Sequence, residues 1–220
     1  MTLAIFDLDN TLLAGDSDYE WGQFLVERGA VDAQTYEAFN RAFYEQYKAG
    51  TLDIREFCRF AFRPLASHDL GTLEAWRAQF LQARIEPLIL PAAEALLEKH
   101  RQAGDTLMII TATNRFITGP IAERLAVPHL LATEPQFRDG RYTGELQGVH
   151  CFQDGKVTRL DAWLKDHDET LQDSWFYSDS HNDIPLLERV THPVAVDADV
   201  KLTDHAQQKG WPMISLRYTS

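Results

Sequence analysis

Five short apolar runs constrain the fold of this chain more than any other feature. They are Leu3–Phe6, Thr106–Ile110, Ser174–Tyr177, and the stretches around Pro193–Val196 and Met213–Leu216. Short continuous runs bounded by polar residues read as strands covered on both faces, the habit of parallel sheets. Helical patterns separate them at Ala92–Ala103, Phe116–Leu125, Val157–His167 and Ile184–Arg189. Strand and helix alternate, which predicts an α/β fold: a parallel sheet flanked by helices.

One stretch breaks the alternation. Between Gly15 and Glu86 the aromatics recur at helical spacing: Trp21-Phe24, then Tyr36-Phe39-Phe43-Tyr47, then Phe57-Phe60, then Trp76-Phe80. Such stripes suit amphipathic helices packed in a small bundle, with Gly29, Gly50 and Gly71 as helix breaks. The expected organisation is therefore an α/β core made of residues 1–14 and 87–220, with a helical domain, 15–86, inserted after the first strand. Residues 133–148 predict a hairpin turning at Asp139-Gly140.

Composition limits the partners. A formal charge of −12 argues against nucleic acid, whose phosphates need a basic stripe. Arg55, Arg59 and Arg63 form the densest basic cluster, but Phe57, Phe60 and Phe62 interleave them as in an ordinary amphipathic helix. Cys58 and Cys151 make neither a disulfide framework nor a CxxC zinc site. No basic leader precedes the first strand and no apolar run approaches the roughly 18 residues of a membrane span, so a cytoplasmic protein is expected. Oligomeric state is not legible in the sequence.

The chemistry-bearing residues cluster at the predicted strand ends, the edge where open α/β sheets bind ligands. Asp7 and Asp9 follow the first strand, Thr111 the second, and Asp179 and Asp183 the third, while Lys156 opens the helix before that third strand. A calcium loop beginning at Asp7 fails, because Leu12 stands where glycine is required and Asp18 where a bidentate Glu belongs. Turn-capping would explain either acidic pair alone, but not two pairs, a Thr and a Lys at matching positions.

In this order, Asp7-x-Asp9-x-Thr11, Thr111, Lys156 and Asp179-x-x-x-Asp183 resemble the haloacid dehalogenase (HAD) superfamily of phosphohydrolases, and the match spans the whole chain. The inserted segment is similar to the family's type 1 (C1) cap, and DGRYTGELQG, GKVTRL and SDSHNDIPLL are similar to the branch containing phosphoserine phosphatases. Ser178 departs from the Gly that often precedes the second acidic pair. The resemblance implies a HAD-type Rossmann-like core and a phosphatase acting on a small phosphorylated metabolite. It also implies a Mg²⁺ cofactor, since carboxylate and phosphate repel and Mg²⁺ prefers oxygen ligands.

On this reading Asp7 is the nucleophile and forms an aspartyl-phosphate, and Asp9 is the general acid and then base. Lys156 supplies fixed positive charge, and Thr111 and the Ala112 backbone N–H bind the phosphoryl group. Asp7, Asp179 and the Asp9 backbone carbonyl are the expected metal ligands. Asp183 either binds a metal water or orients Lys156. His181 is not a ligand, because Mg²⁺ favours oxygen. An acid at position 9 favours phosphatase or phosphomutase over dehalogenase. Asp16 and Asp18 are candidates to contact a substrate amine, or else merely cap a helix. No arginine among 55, 59 and 63 aligns with the one that holds the phosphoserine carboxylate, so histidinol phosphate stands beside phosphoserine as substrate. A phosphomutase or phosphotransferase using the same phosphoenzyme, and a non-catalytic binding protein of this fold, are the alternatives.

Overall fold

A computed structural model describes residues 2–217. β1 (Leu3–Phe6) leads into four helices: α1 (Ser17–Glu27), α2 (Ala33–Ala49), α3 (Ile54–Ser67) and α4 (Leu70–Phe80). A π turn and a 3₁₀ turn over residues 81–88 return the chain to α5 (Pro91–Ala103), followed by β2 (Thr106–Asn114), α6 (Arg115–Arg124) and β3 (His129–Thr133). A hairpin of β4 (Pro135–Arg138) and β5 (Arg141–Leu146) precedes α7 (Asp154–His167) and β6 (Trp175–Ser178). The chain ends with α8 (Ile184–Leu187), β7 (His192–Val196), α9 (Val200–Lys209) and β8 (Met213–Ile214).

Six strands form one parallel sheet in the order β3-β2-β1-β6-β7-β8. The order reverses between β1 and β6, so a crevice opens beyond their C-terminal ends. Both faces are covered, which is why β1 is apolar at every position. Ala4 and Phe6 pack with residues of α1, α3, α4, α5 and α6, whereas Leu3 and Ile5 pack with Leu160 of α7, Leu186 of α8 and Leu202 of α9. Asp7 continues the odd-numbered face and therefore emerges on the side of α7.

Some local expectations are corrected. β3 is a sixth strand that the sequence did not signal, because His129 and the flanking prolines break up its apolar run. β2 continues four residues past Ile110, and β8 is only two residues long. Gly29 and Gly50 do end helices, each with positive φ. Gly71 instead lies in the first turn of α4, and the break falls at His68-Asp69, with Asp69 capping α4.

Where the chain leaves for α1 and returns from α4, its two connecting segments run side by side. Leu13 and Ile89 form an antiparallel bridge, and the Ala14 N–H donates to the Leu88 carbonyl at 2.7 Å. Among the described residues, no helix is long and apolar enough to cross a membrane.

Candidate active site

A cavity of about 650 Å³ opens at the β1–β6 crevice. Asp7, Asp9, Thr111, Ala112, Lys156 and Asp183 line its floor, and residues of α1 and α2, with Ile54 and Phe57 of α3 and Phe152, line much of the rest. Each floor residue is placed by the end of a strand or the start of a helix. The Asp7 N–H donates to the Tyr177 carbonyl at 2.9 Å, extending the β1–β6 ladder one residue and fixing the Asp7 backbone. Lys156 sits in the first turn of α7 behind Gly155, where any Cβ would lie 2.3 Å from the His150 carbonyl oxygen, so only glycine lets this helix begin so close to the preceding loop.

Lys156 is buried and joins two carboxylates. Its ammonium donates to Asp7 Oδ1 at 2.7 Å and lies 2.8 Å from both oxygens of Asp183. Burial works against its charge, but Asp183 and Asp7 outweigh that cost and hold the ammonium above its ordinary pKa. Asp183 also accepts the Ser178 hydroxyl at 2.6 Å. Ser178, the departure from the family pattern, thus supplies a hydrogen bond that glycine could not.

On the other side of Asp7, the Thr11 hydroxyl lies 3.4 Å from Asp7 Oδ2 and 3.2 Å from Asp179 Oδ1, while accepting the Asp179 N–H at 3.1 Å. With one proton, it can satisfy only one of these carboxylates at a time. Two acids thus share one ammonium, and a third, Asp179, lies across Thr11 from Asp7. Burial, then the opposing attraction of Lys156 and the repulsion of Asp183, leave the Asp7 carboxyl above its usual range. Burial and the charges of Asp7 and Asp183 do the same to Asp179. Such an oxygen-only donor pair with excess negative charge fits Mg²⁺.

Among the described residues, no three His, Cys, Asp or Glu side chains gather as a metal-ligand cluster. Asp9 and Asp183 direct their carboxylates elsewhere, which leaves Asp9 only its backbone carbonyl for such a role. The His181 ring nitrogen Nδ1 is taken by Asp199 at 2.7 Å.

Asp9 lives in a different environment. Oδ1 accepts the Ser17 N–H at 2.6 Å and Oδ2 accepts the Thr113 hydroxyl at 2.7 Å. Burial and the nearby Asp16 charge push its pKa up to about 6 against these two donors. Thr113 was not singled out from the sequence. It lies two residues beyond Thr111 on the unexpected extension of β2, and that alternation was the available signal. The β2–β3 pairing skips Ala112 and Thr113, an irregularity beside the site. Thr111 is buried and accepts the Thr113 N–H at 3.1 Å; among the described residues its own proton has no acceptor.

The helical wall carries more acid. Asp16 caps α1, its Oδ1 accepting the Asp18 and Tyr19 N–H groups at 2.9 Å. Its carboxyl is raised, chiefly by burial. Asp18 has one long contact, from Asn114 Nδ2 at 3.4 Å, and burial with the charges of Asp16 and Asp9 pushes its pKa up to about 8. Tyr19, Glu37, Asn40, Arg41 and Tyr47 complete this wall. Arg55, Arg59 and Arg63 are exposed on α3 and do not line the cavity; the wall's arginine is Arg41, which forms no ion pair among the described residues.

Comparison with known proteins gives the family. The family model for haloacid dehalogenase-like hydrolases matches residues 4–188, and the chain belongs to that family. Its activity class is that of a phosphatase. A histidinol-phosphatase of Neisseria meningitidis serogroup C is 42% identical over 219 residues, covering 98% of this chain and 99% of the relative. Phosphoserine phosphatase SerB1 of Mycobacterium tuberculosis is 30% identical, covering 97% of this chain and 70% of its own. A crystal structure of a protein of unknown function from Bordetella pertussis Tohama I superposes with a TM-score of 0.92 at 42% identity, covering 98% of this chain and all of that one.

Proposed function

We propose that this phosphatase is a Mg²⁺-dependent phosphomonoesterase that cleaves a small, amine-bearing phosphorylated metabolite through an aspartyl-phosphate on Asp7. The observation that carries the reading is the split between two carboxylates two residues apart. Asp7 accepts from an ammonium that also holds a second acid, whereas Asp9 accepts from two neutral donors; burial raises both carboxyls, to about 7 and about 6, so the partners and not the pKa values distinguish them. Partners that differ in this way suit two neighbouring acids to different tasks.

The Asp7 carboxylate attacks phosphorus as the bond to the leaving alkoxide breaks, and Asp9 gives its proton to that alkoxide. Water then attacks the phosphoenzyme, its proton passes to Asp9, and Asp7 leaves as carboxylate. Lys156, oriented by Asp183, balances charge on the phosphoryl oxygens, and the Thr111 hydroxyl and Ala112 N–H donate to them. Asp7, Asp179 and the Asp9 carbonyl would hold Mg²⁺, which supplies charge neutralisation between carboxylate and phosphate.

Residues 15–86 act as a cap over the strand ends, hinged where segments 12–14 and 88–90 run together. Asp18, beside Asp16, holds a proton in the free protein and offers a carboxylate to an ammonium once that proton is released on binding. This favours a substrate such as histidinol phosphate, in line with the N. meningitidis relative. Arg41 on the same wall supports a second reading, phosphoserine, whose carboxylate needs a cation.

The test is phosphate release from a panel of phosphorylated metabolites, with Mg²⁺ and after chelation, accompanied by rapid acid quench and peptide mass spectrometry. Release that needs Mg²⁺, prefers an amine-bearing substrate and leaves phosphate on Asp7 is expected. Transfer to a second hydroxyl without release would make it a phosphotransferase, and no turnover of any phosphate would leave a binding protein.

A further inference from the structure

The C-terminal end of α2 is fastened to the loop that carries Asp179 and Asp183. The Tyr47 hydroxyl donates to Ser180 Oγ at 2.9 Å, and the Tyr47 carbonyl accepts Asn182 Nδ2 at 3.3 Å. Gln153 Nε2 holds Asn182 Oδ1 from the opposite side at 2.8 Å. Lys201, at the start of α9, brings its ammonium within 3.0 Å of the Lys48 carbonyl and 3.4 Å of the Ala49 carbonyl. These carbonyls lie at the helix end that lacks internal partners and carries partial negative charge, where a cation is stabilising.

From Tyr47 the contacts continue into the floor. The Ser180 N–H donates to Ser178 Oγ at 3.1 Å, the Ser178 hydroxyl to Asp183 at 2.6 Å, and Lys156 joins Asp183 to Asp7. A connected polar network thus runs from Tyr47, more than forty residues beyond β1, to the nucleophile. The Tyr47 ring lines the cavity 5.8 Å from that of Phe152. Its phenol is held protonated by burial and by the charges of Asp179, Asp183 and Asp7, so it acts as a donor. Packing alone would be served by phenylalanine; a buried hydroxyl is retained without penalty only where it has a partner.

We infer that Tyr47 is a positioning residue: through Ser180 it fixes the Asp179–Asp183 loop for catalysis, so that the loop is in register only while α2 is seated on the core. The inference rests on the phosphatase reading above and adds a residue of the cap to it. Lys201 seats the helix from outside the cavity.

The test compares wild type, Tyr47→Phe, Ser180→Ala and the double variant by steady-state kinetics with 4-nitrophenyl phosphate in Mg²⁺, and by amide exchange of segment 178–183 without metal. Tyr47→Phe should lower kcat about three- to tenfold, the scale of one hydrogen bond, with KM changed less than about twofold. Exchange in segment 178–183 should quicken at least about threefold, and the hydroxyl should contribute nothing further once Ser180 is alanine. Lys201→Met should move both readouts in the same direction by less. Unchanged kcat or unchanged exchange in Tyr47→Phe would overturn the inference, as would a loss confined to KM or one that persists undiminished beside Ser180→Ala. Were wild type to release no phosphate, the functional reading would fall, and exchange alone would decide the case of Tyr47.

Discussion

The floor and the helical wall of the cavity are both acidic, yet they are built on opposite principles. On the floor Lys156 donates to Asp7 and Asp183, and Ser17 and Thr113 donate to Asp9, while among the described residues Asp179 has only the Thr11 hydroxyl that it shares with Asp7. On the wall, Asp18 has a single contact of 3.4 Å, and the side-chain amide nitrogen of Asn40 is buried without a partner. Buried polar groups left unmatched disfavour the empty state, so they discriminate strongly in favour of a ligand that matches them. On the proposed function, the floor is organised in advance for phosphoryl transfer, whereas Asp18 and Asn40 on the wall are left for a ligand to match.

The sharpest way to break this contrast is at the floor. Asp7→Asn should lower phosphate release from an aryl phosphate by about four orders of magnitude or more, the scale on which loss of a nucleophile acts in covalent enzymes. Asp9→Asn should cost roughly 10²- to 10⁴-fold, the range of general acid–base catalysis, while still allowing phosphate to reach Asp7. Rapid-quench mass spectrometry separates the two: no adduct in the first variant, an accumulating adduct in the second. Equal losses with no adduct in either would abolish the division of labour between the two aspartates.

The convergence of these residues on one sheet edge was largely legible in the sequence, and for a physical reason. Strands buried on both faces must be continuously apolar, so β1 and its terminal Asp7 stand out, and the residues that end such strands converge on one edge. Contacts made by alternation or by tertiary packing were harder to see. Thr113 was missed because the polar end of β2, Thr111–Asn114, does not read as strand, although it continues the ladder beside β3. Ser178 looked like a departure until Asp183 was found to accept its hydroxyl. Arg41 was overlooked because helix spacing shows which residues share a face, but not which face lines a cavity shared with another part of the chain.

The wall gives a smaller and more selective effect. Asp18→Asn should lower kcat/KM for an amine-bearing substrate roughly ten- to a hundredfold, as expected for a charged hydrogen bond, and change the aryl phosphate less than about threefold. Paired with it, Arg41→Ala should spare histidinol phosphate and impair phosphoserine. Losses of equal size on both substrates, for both variants, would reduce the wall to scaffolding.

The gentlest probe uses the wall without any substrate. Asp18 is held protonated in the fold, with a pKa of about 8 set by burial and by Asp16 and Asp9, whereas in the unfolded chain it ionises near 4. Below about pH 4 both states carry the proton and Asp18 adds no pH dependence. Between about 4 and 8 the unfolded state releases it while the folded state keeps it, so the stability of the wild type falls as pH rises; above about 8 the difference levels off. Asn cannot ionise, so the melting temperature of wild type relative to Asp18→Asn should decline by a few degrees across that window. A flat difference would mean that Asp18 is already charged in the free protein. The wall would then attract an ammonium from the outset, and the proton that binding should otherwise release would be absent from calorimetric titrations run in buffers of different ionisation enthalpy.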